Sequence, residues 1–344
     1  VNTAMLDDVS LIALLVAMGL YAAAFIAFAL DLARRSALVA DAATAAARQP
    51  SAVGATAARR GGTATLERGP APRGRDAADG AGSGPDAPVA PGRSVSLNVA
   101  MVLLGVGFVA HAVATVLRGL AASRVPWANM YEFAMTGTLL ILSVYLIVLT
   151  RRDLRFLGTF VTGLVLILLG VAVVQYRVEV APLPPSLQSY WLVIHVFVAA
   201  LGTGFFALAF ALSGVQLLQF RRESLAADAR AAKMRFLATL PDSVTLESMA
   251  YRLNIVGFIF WTFTLMAGAI WAERAWGRYW GWDTKEVWTF IIWVLYAGYI
   301  HARATRGWRG SRSAWLAIIG FSAVMFNFGV VNVFFKGLHT YSGL

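Results

Sequence analysis

Cysteine is absent from the 344 residues, and histidine occurs only four times. The missing thiols exclude disulfides, thiolate metal sites, iron–sulfur clusters and a redox thiol pair. Charge is scarce too: 14% of residues are charged against 59% hydrophobic, and mean hydropathy is +0.67. That balance excludes an ordinary soluble globular domain. No glycine-rich phosphate loop and no internal repeat is present. The net charge of +11 invites a nucleic-acid reading, but the placement of the basic residues answers to membrane topology instead.

Long apolar runs dominate what is there. A bilayer takes about 20 residues of helix, and eight runs of that order occur, at 9–31, 97–119, 129–150, 157–175, 190–219, 253–272, 287–304 and 314–335. The fold expected is all-α, a polytopic membrane helical bundle of about eight transmembrane helices. The first run has no basic stretch ahead of it and is too long for a signal-peptide core, so it reads as a retained span. With the N-terminus outside, 22 of the 29 basic residues fall on inner segments or at their edge, as the positive-inside rule requires. Both termini then lie outside.

Three regions follow: an N-terminal transmembrane helix at 1–31, a linker at 32–96 and a membrane domain at 97–344. Residues 32–96 contain no aromatic and no isoleucine. They cannot bury enough apolar surface to offset the entropy of ordering, and are expected to be a disordered cytoplasmic linker whose arginines skim anionic lipid. In 221–250, Leu225, Met234, Phe236, Leu237 and Leu240 interleave with charges, the pattern of an amphipathic helix on the inner surface.

The most unusual stretch, 271–288, falls outside, between spans six and seven. It holds Trp271, Trp276, Trp280, Trp282 and Trp288, five of the chain's eleven tryptophans. An interfacial aromatic belt accounts for one or two such residues. It does not account for rings spaced by Gly277 and Gly281 and interleaved with Asp283, Lys285 and Glu286. Indoles offer wide, rigid faces, glycines allow turns, and basic neighbours meet carboxylates. Physical chemistry gives a platform for a planar, partly anionic molecule, without saying which.

The pattern Trp276-Gly277-x-x-Trp280-x-Trp282-Asp283-x-x-Glu286 resembles the "WWD" signature of the haem-handling protein family. Pro126-Trp-Ala-Asn129-Met-Tyr131-Glu132, Leu187-Gln188-Ser189-Tyr-Trp191-Leu-Val-Ile-His195 and Gly337-Leu-His339-Thr-Tyr341-Ser342 resemble segments of its CcsA/ResC branch. The resemblance covers about 97–344. It implies a haem-handling membrane domain that takes haem b as substrate and transported ligand, and a bacterial cell membrane with the active site on the outer face. It also implies the addition of two thiols of an apocytochrome c Cys-x-x-Cys-His motif across the haem vinyl groups, together with a ResB-like membrane partner. Membrane lipid is the remaining partner, and nucleic acid is not one.

Each histidine alone has a plain structural explanation, yet an ionisable group in hydrocarbon is costly. His195 and His339 lie near the outer surface, level with the tryptophans, and the resemblance makes them external ligands of haem iron. His111 sits mid-membrane and His301 nearer the inner side, roughly 12 Å apart in depth at 1.5 Å per residue. The resemblance makes these two a second, intramembrane haem site. Trp276, Gly277, Trp280, Trp282, Asp283 and Glu286 complete the expected haem-binding set, with His195, His339, Trp280, Trp282 and Asp283 expected at the chemistry. Arg274, Arg278 and Lys285 are candidates to meet propionates. Two rival readings stand: a CcmC-like haem exporter or chaperone without attachment activity, and a b-type haem protein exchanging electrons with quinone.

Overall fold

The computed structural model describes residues 2–48, 94–225, 235–335 and 337–339. Among the described residues the chain is helical, with no strand. The helices are α1 (Thr3–Arg48), α2 (Val95–Ala122), α3 (Met130–Leu149), α4 (Gly158–Gln175), α5 (Tyr190–Glu223), α6 (Ser243–Trp276), α7 (Thr284–Arg306) and α8 (Ser311–Phe326). α8 continues through a π-helical stretch, Asn327–Val331, into a last turn at Asn332–Phe334.

Seven of these helices are long and apolar enough to cross a membrane. The other is α7, whose ends carry Lys285, Glu286, His301 and Arg303. At 1.5 Å per residue it still reaches about 35 Å, and it packs between α6 and α8. The expected bundle is therefore present, with one span more polar than the rest.

Helix starts follow from capping chemistry. Asn129, Ser189, Asp242 and Asp283 each accept a backbone N–H from the first turn of α3, α5, α6 and α7. α5 is central, packed on α3, α6 and α8, while α1 runs along α2 and touches α4. The core between them is aromatic and aliphatic, with Phe206 of α5 stacked on Tyr296 of α7 at 3.7 Å between ring centroids. On α2, Val99, Val102, Val106, Val109, Val113 and Val116 form an exposed stripe, the surface a helix turns to lipid.

Two expectations need adjusting. α1 does not stop at 31 but continues to Arg48. Its second half is rich in alanine, the strongest helix former, and Arg35 pairs with Asp31 one turn earlier at 2.7 Å. The rest of the expected linker, 49–93, lies outside the described residues. The amphipathic helix expected at 221–250 is broken instead. α5 ends at Glu223, Arg235–Thr239 is a short 3-10 turn, and α6 starts at Ser243. Pro241 and Asp242 explain the break, because Asp242 caps α6 by accepting the Thr245 N–H at 2.8 Å. Met234 lies outside the described residues.

Candidate functional site

Antiparallel alternation brings the starts of α1, α3, α5 and α7 to one end of the bundle, with the ends of α2, α4, α6 and α8. A buried ionic network ties part of that end together. The Arg118 guanidinium, at the end of α2, donates to Glu132 of α3 at 3.0 Å, to Asp7 of α1 at 2.5 Å and to the Val178 carbonyl after α4 at 2.9 Å. Arg124 and the Ala128 N–H reach the other Glu132 oxygen at 2.6 and 3.0 Å. Glu132 and Arg118 are both fully buried. Four charges thus hold α1 and the 123–129 loop in place.

Beside this network lies a half-open cavity of about 160 Å³, walled by α3, α5, α6, α7 and α8. The cavity descends along α3 from Met130 to Ile141, about 16 Å at helical rise. Its wall is mostly apolar or small, with Phe133, Ala134, Gly137, Ala199 and Ala200.

Both His195 and His339 line this cavity. The His195 Nδ1 lies 2.9 Å from the Thr264 carbonyl oxygen on α6. A carbonyl only accepts, so Nδ1 carries the proton and Nε2 keeps its lone pair. Gly268 makes room for this: a Cβ there would stand 2.7 Å from His195 Cε1 and 2.8 Å from Nδ1. The His339 Nδ1 donates in the same way to Asp283 Oδ2 at 3.0 Å, and the His339 backbone N–H approaches the same oxygen at 3.3 Å. Among the described residues, no hydrogen bond engages Nε2 of either ring.

Trp271 joins the two imidazoles. It is 1% exposed and is held by its indole N–H on the Ser186 carbonyl at 3.0 Å. His195 stacks on it at 5.9 Å and 16°, and His339 meets it edge-on at 5.4 Å. Trp276 closes the cluster, 4.8 Å from the His339 ring and 4.7 Å from Trp271.

Asp283 links the tryptophan turn to His339. Its side chain caps α7, and with Glu286 it completes a capping box. Glu286 Oε2 accepts from the Gly281 and Asp283 N–H groups at 2.8 and 3.1 Å. The hydrogen bond from His339, aided by the Lys285 N–H, draws the Asp283 carboxyl down to a pKa of about 2. Gly277 ends α6 with φ +71°, a left-handed turn that costs glycine little.

A model of the family described as "Cytochrome C assembly protein" matches residues 127–339. The chain belongs to this family. Every residue that lines the cavity, from Trp127 to His339, lies within that match. Among its relatives is the cytochrome c biogenesis protein CcsA of Guillardia theta, 35% identical over 66% of this chain and 80% of that protein. The CcsA of Chlorella vulgaris is 34% identical over 67% and 81%, and that of Prochlorococcus marinus 29% identical over 73% and 86%. The chain is therefore a multi-pass membrane protein with a role in cytochrome c maturation, in a family that handles haem.

The structure divides the expected site residues. His195, His339, Trp276 and Asp283 form one contact cluster. Gly277 and Glu286 shape the turn that carries Asp283. Trp280 and Trp282 do not line the cavity. They pack edge to face at 5.8 Å, and Trp282 stands 74% exposed on a left-handed backbone, φ +60°. A bulky residue in that region is strained. Of the basic candidates, Lys285 lines the cavity, Arg278 pairs with Glu286 at 3.5 Å, and the exposed Arg274 sits by Glu273 at 3.5 Å. Tyr341 and Ser342 lie outside the described residues.

His111 is fully buried, with Nε2 donating to the Met135 carbonyl at 3.0 Å and Nδ1 accepting from the Tyr21 hydroxyl at 3.2 Å. His301 is exposed toward the far end of α7. Neither lines the cavity. Sequence reasoning missed Trp271 as the hub of the cluster, Thr264 as the partner of His195, and the cavity wall of Asn327, Phe328 and Asn332 presented by the π-helical stretch and the turn that follows it. Two asparagines in an apolar span were a readable signal, since π-helical turns recur at functional sites. A backbone carbonyl leaves no such trace.

Proposed function

We propose that this chain binds haem through Nε2 of His195 and His339 and presents it, on the outer face of a bacterial cell membrane, for covalent attachment to apocytochrome c. The observation that supports this most is the matched state of the two imidazoles. Each has Nδ1 fixed on an oxygen acceptor and Nε2 free at one apolar cavity. Histidines that ligate metal are commonly oriented this way, by a carbonyl or carboxylate on the other nitrogen. Two such rings suit the axial positions of haem iron.

Haem b is substrate here, not a resident group. Each thioether forms when a cysteine S–H of the apocytochrome Cys-x-x-Cys-His motif adds across a haem vinyl group. A C–S bond forms, the proton passes to the other vinyl carbon, and no net oxidation occurs. The chain's part is to hold and orient the porphyrin until the apocytochrome histidine replaces one ligand. Trp271 and Trp276 brace the ligands, while the exposed Trp280–Trp282 pair offers a surface to the incoming polypeptide or a ResB-like partner. The arginines at the opposite end of the bundle, Arg151, Arg152, Arg221 and Arg222 among them, support placing the site outside.

His111 and His301 are proposed as a second haem site within the membrane. Loading there requires His111 to release one of its two hydrogen bonds. The test of the whole reading is reconstitution of the purified chain with a ResB-like protein, haem and an apocytochrome carrying Cys-x-x-Cys-His. Covalently bound haem is expected, and bound haem that never becomes covalent would assign the chain to export or chaperoning instead.

A further inference from the structure

Lys285 is placed against elementary electrostatics. It lies in the first turn of α7, where the helix dipole is positive and disfavours a cation. Its side chain lines the membrane-embedded cavity, where an unpaired charge is costly. Among the described residues no carboxylate stands within ion-pair distance of its ammonium. Asp283, two residues earlier, bonds to His339 and to the Lys285 backbone N–H. Glu286 is engaged by Arg278, Gly281 and the Asp283 N–H. The contact the ammonium does make is to a neutral acceptor, Asn332 Oδ1. Asn332 is itself backed by the Met130 sulfur, 3.2 Å from Nδ2.

The neighbouring wall is polar as well. Asn327 and Thr289 line the same cavity, with Asn327 Nδ2 on the Thr289 hydroxyl at 3.3 Å. The buried Asn327 Oδ1 has no hydrogen-bond partner among the described residues. A cation and an unsatisfied amide therefore face one side of a mostly apolar chamber. Both are uncompensated, and an anionic ligand group would compensate the cation directly.

We propose that Lys285, supported by Asn332, is the anchor for a carboxylate of the ligand, which makes it a specificity-determining residue of the cavity. Resting on the haem reading above, the carboxylate is a porphyrin propionate. The anchor fixes which edge of the macrocycle turns toward α7 and α8, and it selects free-acid porphyrins over neutral ones.

Visible titration of the purified full-length chain with haem and with haem dimethyl ester tests this, beside Lys285→Met and Asn332→Ala. A charge-assisted hydrogen bond lost from a desolvated site should weaken binding about tenfold or more. Wild type should bind the ester about tenfold more weakly than haem. Lys285→Met should lose the same factor for haem and show little preference between the two, and Asn332→Ala should show a smaller loss of preference. Equal wild-type affinity for both ligands, with a bis-imidazole spectrum, would overturn the anchor and leave the haem reading standing. Absence of any bis-imidazole spectrum with either ligand would overturn both. The ester comparison needs only wild-type protein, so it decides the matter even if a variant fails to fold.

Discussion

Replacing Gly268 by alanine tests whether the orientation of His195 is built into the α5–α6 interface. The added Cβ would stand 2.7 Å from His195 Cε1 and 2.8 Å from Nδ1, nearer than real Cβ contacts come. The ring has to swing or the helices have to part, and either loosens the 2.9 Å bond to the Thr264 carbonyl. Overpacking of this kind costs about 1–3 kcal/mol. In a helix interior, alanine returns about 0.5–1 kcal/mol relative to glycine, so the fold should survive with a modest net loss. Ligand orientation should not. Removing an outer-shell partner of a metal-bound histidine typically lowers affinity about 10–100-fold. Visible titration of purified Gly268→Ala with haem should show a loss in that range, while far-UV circular dichroism stays that of wild type. Wild-type affinity and spectrum in this variant would refute the claim that the Thr264 bond orients a ligand.

Asp283→Asn should keep α7 capped, because asparagine caps nearly as well as aspartate, yet weaken haem binding about 10–100-fold by removing the carboxylate behind His339; equilibrium titration checks it. The same pair has a pH signature. Since the folded carboxyl is depressed to about 2, its contribution is fully present above the unfolded value of about 4 and is lost as pH falls through about 2. An acid titration of stability should therefore show a component that Asp283→Asn lacks. Glu132→Gln should destabilise the bundle by about 3–5 kcal/mol by leaving Arg118 and Arg124 buried without their shared acid, read as earlier thermal unfolding. His111→Ala and His301→Ala should each lower the haem recovered with the protein, and unchanged loading would count against a second site.

The bundle was legible because membrane helices announce themselves by length and apolarity, and each long run became a helix. Even α7, with charges at both ends, followed from its apolar middle. The cluster was half legible. His195, His339, Trp276 and Asp283 came from a motif and from the levels at which they sit. Their geometry came from partners with no sequence signature: the carbonyl of Thr264, and the space left at Gly268. Trp271 lay in the tryptophan-rich stretch but ahead of the motif that runs from Trp276 to Glu286, so nothing in the pattern marked it as the contact between the two imidazoles. The pairing of His111 with His301 came from the resemblance, and helical rise added only their depths, roughly 12 Å apart. Rise gives level, not the face a side chain occupies, so it missed that His111 is buried against Tyr21 while His301 is exposed.

One absorption measurement reaches the centre of the account. Purified wild type loaded with haem should show the sharp low-spin spectrum of bis-imidazole iron, and the His195→Ala, His339→Ala double variant should lose it. If the double variant retains the wild-type spectrum at equal haem content, the iron is held elsewhere and the paired-imidazole site is wrong.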